Sequence, residues 1–159
     1  MRLSAFSRSA SFKPAAKSEP LRLRPERGEL VRLAARVNDF AGAHGLVFAD
    51  CHAFMLAAEE LFANTLSHSY PPATLIEFTI VARESSALAT YSDDGPPFDP
   101  TARPEVDTTL PLQSRTIGGL GIHFIRRTMS TFHYERRDGR NIVTFGRILS
   151  RINRSDDHP

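Results

Sequence analysis

Glu60, Asn64 and His68 recur every four residues within residues 57–70, a stretch that contains neither glycine nor proline and is rich in helix formers. On a helix, four-residue steps drift by only about 40°, so the three side chains share one face. Ala57, Leu61 and Leu66 fall elsewhere around the cylinder and can feed a core. A carboxylate, an amide and an imidazole in one row can be a solvated face with i,i+4 partners, or functional groups aimed at a ligand. Two further segments carry unusual residue choices. Asp93-Asp94-Gly95 puts an acid where a strand runs into a turn, with no obvious basic partner; Asp-Gly is also ordinary turn chemistry. Gly118-Gly119-Leu120-Gly121 leads into an apolar-striped segment. A glycine-rich turn at a helix start exposes free N–H groups and the positive end of the helix dipole, which suits an anion.

The elements that must position these groups follow from periodicity. Leu21 to Arg24 alternates apolar and basic and predicts a short edge strand, stopped by Pro25. Leu30, Leu33, Ala34, Val37 and Ala41 predict a first helix over residues 26–44, with Gly42 and Gly45 at its end. Asp50 is the expected N-cap of the second helix, which runs to Tyr70 and stops at Pro71-Pro72. Residues 75–82 and 87–92 alternate as a pair of strands around a turn at Ser85-Ser86. A proline-rich stretch from Pro96 to Pro111 predicts a long irregular loop, of the kind that is functional or disordered. Ile122, Ile125 and Met129 stripe a third helix, and Asp138-Gly139 joins two final strands as a hairpin. The order β-α-α-β-β-loop-α-β-β predicts an α+β two-layer sandwich, antiparallel hairpins with helices on one face.

Composition bounds the class. The chain has 159 residues, 41% hydrophobic and 24% charged, which fits one globular domain. No apolar run reaches the roughly 18 residues of a membrane span. The single cysteine, Cys51, excludes an internal disulfide and a cysteine-based zinc cluster, and makes a reducing, cytoplasmic setting the expectation. Residues 1–24 carry a net +5, so the rest of the chain carries −3 of the total +2. The high pI thus belongs to the tail, and the mildly acidic body argues against direct nucleic-acid binding. Residues 1–19 read as a disordered basic tail, a composition shared with transit peptides. Residues 20–150 read as the domain and 151–159 as a frayed polar end.

In combination and in this order, the three segments resemble the ATP-binding domain of the GHKL superfamily, which includes gyrase, the ninety-kilodalton heat-shock chaperone, histidine kinases and the MutL proteins. Within it the chain looks most like the anti-sigma factor serine/threonine kinases. The resemblance spans Leu21 to Arg147 and rests on Glu60-x-x-x-Asn64-x-x-x-His68-x-Tyr70, on Asp93-Asp94-Gly95-Pro96-Pro97-Phe98-Asp99-Pro100, and on Ile117-Gly118-Gly119-Leu120-Gly121-Ile122. It implies the Bergerat-type fold, with a mixed, mostly antiparallel sheet. It implies ATP and Mg²⁺ as cofactors, with Asn64 ligating the metal through its side-chain oxygen. Glu60 would be the general base toward an attacking hydroxyl. Asp93 would accept from the adenine amino group, and Gly95 would let the backbone pass close to the base. Gly119, Leu120 and Gly121 would meet the phosphates, residues 96–117 would form the lid, Arg115 would reach the phosphates from it, and Thr144 would lie near the adenine. His68 would support the pocket or the helix end. One departure stands out: the superfamily's second glycine in the Asp-x-Gly-x-Gly box is Pro97 here.

The implied function is an ATP-dependent serine/threonine kinase that phosphorylates an anti-sigma-factor antagonist. The alternative is a nucleotide-sensing module that sequesters a sigma factor or another protein without turnover. A plain ATPase or a non-nucleotide domain are further readings. Homodimerisation is an expectation of the resemblance, with the first strand and helix as the interface.

Overall fold

The computed structural model describes residues 19–104 and 120–150. The basic tail, the C-terminal end and most of the expected lid, with Arg115, Gly118 and Gly119, lie outside the described residues. The elements in order are β1 (Leu21–Leu23), α1 (Leu30–His44), α2 (Phe48–His68), β2 (Ile76–Arg83), β3 (Ser86–Asp93), α3 (Leu120–Thr128), β4 (Thr131–Arg137) and β5 (Arg140–Ile148). The strands form one sheet in the order β1-β2-β3-β5-β4. All pairings are antiparallel, so the mixed character expected of the sheet is not found among the described strands.

Alternation along each strand decides which side chains meet the helices. Ile76, Phe78 and Ile80 of β2, Ala87, Ala89 and Tyr91 of β3, and Val143 and Phe145 of β5 are buried. They pack under Leu33 and Val37 of α1, Phe54, Leu61 and Phe62 of α2, and Ile122 and Ile125 of α3. Each large side chain so buried contributes about 2 kcal/mol. The Phe54 and Phe145 rings, 6.1 Å apart at 37°, join α2 directly to the sheet. The outer face carries polar links instead: Glu77 of β2 pairs with Arg22 of β1 at 2.9 Å and with Arg140 of β5 at 3.0 Å.

Several boundaries differ from expectation for identifiable reasons. Residues 27–29 make a tight 3-10 turn containing Gly28, a poor helix former, and α1 begins only at Leu30. Gly45 closes α1 in the left-handed region at φ 62°, while Gly42 lies inside the helix. Asp138 and Gly139 both take positive φ, as a two-residue hairpin requires.

Asp50 is not the N-cap of α2. Val47 holds that position, and Asp50 sits in the first turn, fully buried. Its Oδ2 accepts from the Ser150 backbone N–H at 2.7 Å, and Arg147 Nε approaches its Oδ1 at 3.1 Å as an ion pair without hydrogen-bond alignment. A buried carboxylate needs such partners, and through them it ties the end of β5 to the start of α2. Asp50→Ala is expected to lower the unfolding free energy by about 3 kcal/mol. Asp50→Asn should cost less, because an amide oxygen can still accept from Ser150. Urea denaturation of the two variants checks the ranking.

A second carboxylate fixes the entry to the turn after β3. Asp94 accepts from Thr74 N at 2.7 Å, Leu75 N at 3.0 Å and Thr74 Oγ1 at 2.5 Å. Partial desolvation pushes its carboxyl up, but these bonds outweigh that and hold it below the ordinary aspartate value. A depressed folded-state value means that the stabilisation is full above the unfolded-state value near about pH 4 and fades as pH falls through the lower folded value. The stability gap between wild type and Asp94→Asn should therefore be constant near neutrality and narrow in acid, as thermal melts across pH would show.

Candidate nucleotide-binding site

The shared helix face expected for α2 is present, and it straddles two recesses. Asn64 and His68 line an enclosed pocket with Thr65, Tyr91, Asp93 and Asn141. Glu60 lines a wide groove beside it, walled by Leu30, Leu56, Leu120 and Phe124. Asn64 sits at the boundary, almost fully buried. Its Nδ2 donates to Glu60 Oε1 at 3.3 Å. An ionised carboxylate cannot donate, so this bond sets the amide orientation and leaves the Asn64 oxygen for another partner.

Asp93 forms the floor of the pocket. It ends β3 opposite Asn141 of β5 and is 7% exposed. Among the described residues no cation pairs with it; hydrogen bonds satisfy it instead. Oδ1 accepts from Gly95 N at 2.9 Å and from Asn141 Nδ2 at 2.8 Å. Oδ2 accepts from Thr65 Oγ1 at 3.1 Å, and that hydroxyl lies 2.8 Å from the Tyr91 hydroxyl. The Thr65 hydroxyl also lies 3.2 Å from the Leu61 carbonyl; the charged Asp93 oxygen is the stronger acceptor for its one hydrogen, and Tyr91 then donates to Thr65. Burial pushes the Tyr91 phenol up; the Thr65 bond opposes this and the Asp93 charge adds to it, so the phenol stays protonated as a donor. Gly95 follows at once, and a Cβ there would come within 2.6 Å of Ser69 Oγ and 3.0 Å of Asp93 Oδ1. Glycine is what lets the backbone pass so close.

The rim is built from the start of the proline-rich loop. Phe98 stacks on His68 with centroids 4.8 Å apart at 10°, and Arg103 lies 5.1 Å from the Phe98 ring centre and 3.0 Å from His68 Nε2. Arg126 of α3 donates to the Thr101 and Arg103 carbonyls at 2.6 and 2.5 Å, which fastens this loop to the third helix. His68 thus supports the pocket rim through its ring.

At the other end of the face, the Glu60 carboxylate lies against Gly121, where a Cβ would overlap it. Gly121 belongs to α3, so the carboxylate packs directly on that helix, where the missing side chain leaves room. Leu120, half-exposed, lines the groove next to Glu60.

Thr144 is not brought to the pocket. Val143 and Phe145 are buried on the helix side, so Thr144 projects from the opposite face of the sheet, between Thr90 and His133. The polar residue that β5 does supply is Asn141, three positions earlier and of the correct parity. Thr65, Tyr91 and Asn141 were all passed over in the sequence. Their signal was available: Thr65 follows Asn64, Tyr91 shares the parity of Asp93, and Asn141 follows the hairpin Gly139 by two.

The donors fit Mg²⁺-ATP. The Asn64 amide oxygen offers a hard cation one oxygen ligand. Among the described residues no cluster of three or more His, Cys, Asp or Glu could hold a metal alone. A carboxylate in a pocket that Leu61, Phe98, Pro100 and Val143 also line fits an exocyclic amine on an apolar ring.

A family model for the histidine kinase-like ATPase domain matches residues 21–147. The serine/threonine-protein kinase BtrW of Bordetella bronchiseptica is 30% identical over 91 residues, 56% of this chain and 64% of that protein. The chain thus aligns with less than two thirds of that relative's length. Among solved structures, the RsbU and RsbW domains of a Mycobacterium tuberculosis protein superpose with a TM-score of 0.57 at 16% identity, covering 85% of this chain and 34% of that one. That likeness concerns the fold. The family match runs from the first strand into the last and takes in the Glu60–Asn64 face and Asp93, and on it the chain belongs to the histidine kinase-like ATPase domain family.

Proposed function

We propose that the chain binds Mg²⁺-ATP and transfers its γ-phosphoryl group to a serine or threonine of a partner protein, an anti-sigma-factor antagonist by analogy with its relatives. The observation that carries this reading is the division of labour along α2. Asn64 faces the closed pocket that ends in Asp93, while Glu60, hydrogen-bonded to it, faces an open groove. A nucleotide with its base against Asp93 would bring its phosphates past Asn64 toward α3. An acceptor hydroxyl would then enter from the groove and meet Glu60.

Bound ATP would supply the phosphoryl group, and the magnesium ion would neutralise its charge. The chain's own residues do the rest. Asp93 accepts from the base and fixes its depth. Asn64 offers one oxygen to the metal. Glu60 takes the proton of the attacking hydroxyl. Support for a protein acceptor comes from the width of the groove and from the kinase named among the relatives.

Transfer of label from γ-labelled ATP to an antagonist protein tests the proposal. Glu60→Ala should lower the transfer rate by about a hundredfold or more while leaving ATP affinity within a few-fold. Asn64→Ala should lose Mg²⁺-dependent ATP binding itself. Transfer by Glu60→Ala at the wild-type rate would remove Glu60 from the chemistry. ATP binding without any transfer in wild type would leave the sequestering module as the function.

A further inference from the structure

Asn141 is the most heavily hydrogen-bonded side chain of the pocket, and none of its valences is left for a ligand. Its two amide hydrogens go to Asp93 Oδ1 and to the Pro96 carbonyl, both at 2.8 Å. Three donors converge on its carbonyl oxygen: Phe98 N at 3.1 Å, the Tyr134 hydroxyl at 2.9 Å and Arg136 Nη1 at 2.9 Å. Arg136 Nη1 also donates to the Gly95 carbonyl at 2.8 Å. The side chain is 3% exposed. It therefore acts through Asp93 and the loop, and not by touching a nucleotide.

We infer that Asn141 is a positioning residue that sets base selectivity by clamping the Asp93 carboxylate in one orientation. The inference rests on the nucleotide reading above. An ionised carboxylate accepts at about four sites. Gly95 and Asn141 fill both sites on Oδ1, and Thr65 takes one on Oδ2. That leaves one acceptor site, on Oδ2, for a ligand in the pocket that Asp93 lines. It matches the 6-amino group of adenine. A 6-oxo purine presents an acceptor there, which repels it, and a donor at N1, one ring position away. A carboxylate free to pivot could reach that N1–H. The clamp prevents the pivot, because turning Asp93 would strand the Asn141 and Gly95 donors in a buried site. Thr65 and Tyr91 close the other side.

The test is calorimetric titration of the full chain with Mg²⁺-ATP and with Mg²⁺-ITP, which differ at position 6 of the base. Wild type should prefer ATP by about a hundredfold or more. Asn141→Ser should weaken ATP by about tenfold or more and leave ITP within about threefold, so that the preference collapses. Asn141→Leu, close to isosteric, provides the same reading should the serine variant fail to fold: it has no donor for Asp93. A purely structural role would weaken both nucleotides together. An ATP:ITP ratio unchanged in a folded variant overturns the inference and leaves the nucleotide site standing. Binding of neither nucleotide by wild type overturns both.

Discussion

A buried carboxylate that no cation pairs with among the described residues is the constraint on which this site depends. Asp93 lies in a low-dielectric pocket, where an unsatisfied charge would be costly. Its hydrogen bonds therefore come from three different parts of the chain: Thr65 on α2, the Gly95 turn and Asn141 on β5. Satisfying one charge thus registers the helix, the loop and the last strand against one another. The same bonds leave Asp93 an acceptor only, which is the property a pocket selecting an amino group needs. Stability and recognition here draw on one set of contacts.

The second half of the site depends on a close approach. Glu60 can rest against α3 only because Gly121 has no side chain. The contact brings α2 and α3 together where phosphates and an acceptor hydroxyl would meet. Arg126, on the same helix, holds the carbonyls of the loop that frames the pocket. A movement of α3 would therefore be felt both at Glu60 and at the Phe98–His68 rim. The loop departs from the superfamily pattern at Pro97, and side-chain clamps hold it: Asn141 binds Pro96 O and Phe98 N, and Arg136 binds Gly95 O.

Much of this was legible in the residues. The four-residue spacing of Glu60 and Asn64, the strand-to-turn acid at Asp93 and the Asp138-Gly139 hairpin each encode local geometry, and local geometry is what spacing reports. The element order β-α-α-β-β-α-β-β and the helix-backed sheet followed from the same periodicities. What escaped were side chains whose role is set by distant partners. Asp50 is of a residue type that caps helices, yet it lies inside the first turn of α2 and its carboxylate bonds a residue a hundred positions away. Asn141 meets Asp93 across 48 residues through strand pairing. Thr144 failed on parity: a hydroxyl on the right strand points to the wrong face when it falls on an even step. Sequence period fixes a face only once the register is known.

The most direct test of the account is a calorimetric titration of Mg²⁺-ATP into wild type and Asp93→Asn, with circular dichroism to confirm that both are folded. The account predicts stoichiometric binding to wild type and a loss of at least about 2 kcal/mol in binding free energy for Asp93→Asn, since the carboxylate that receives the base would be replaced by an amide that can present a donor. Equal affinity of the two folded proteins would contradict it, because the base would then be recognised somewhere other than Asp93.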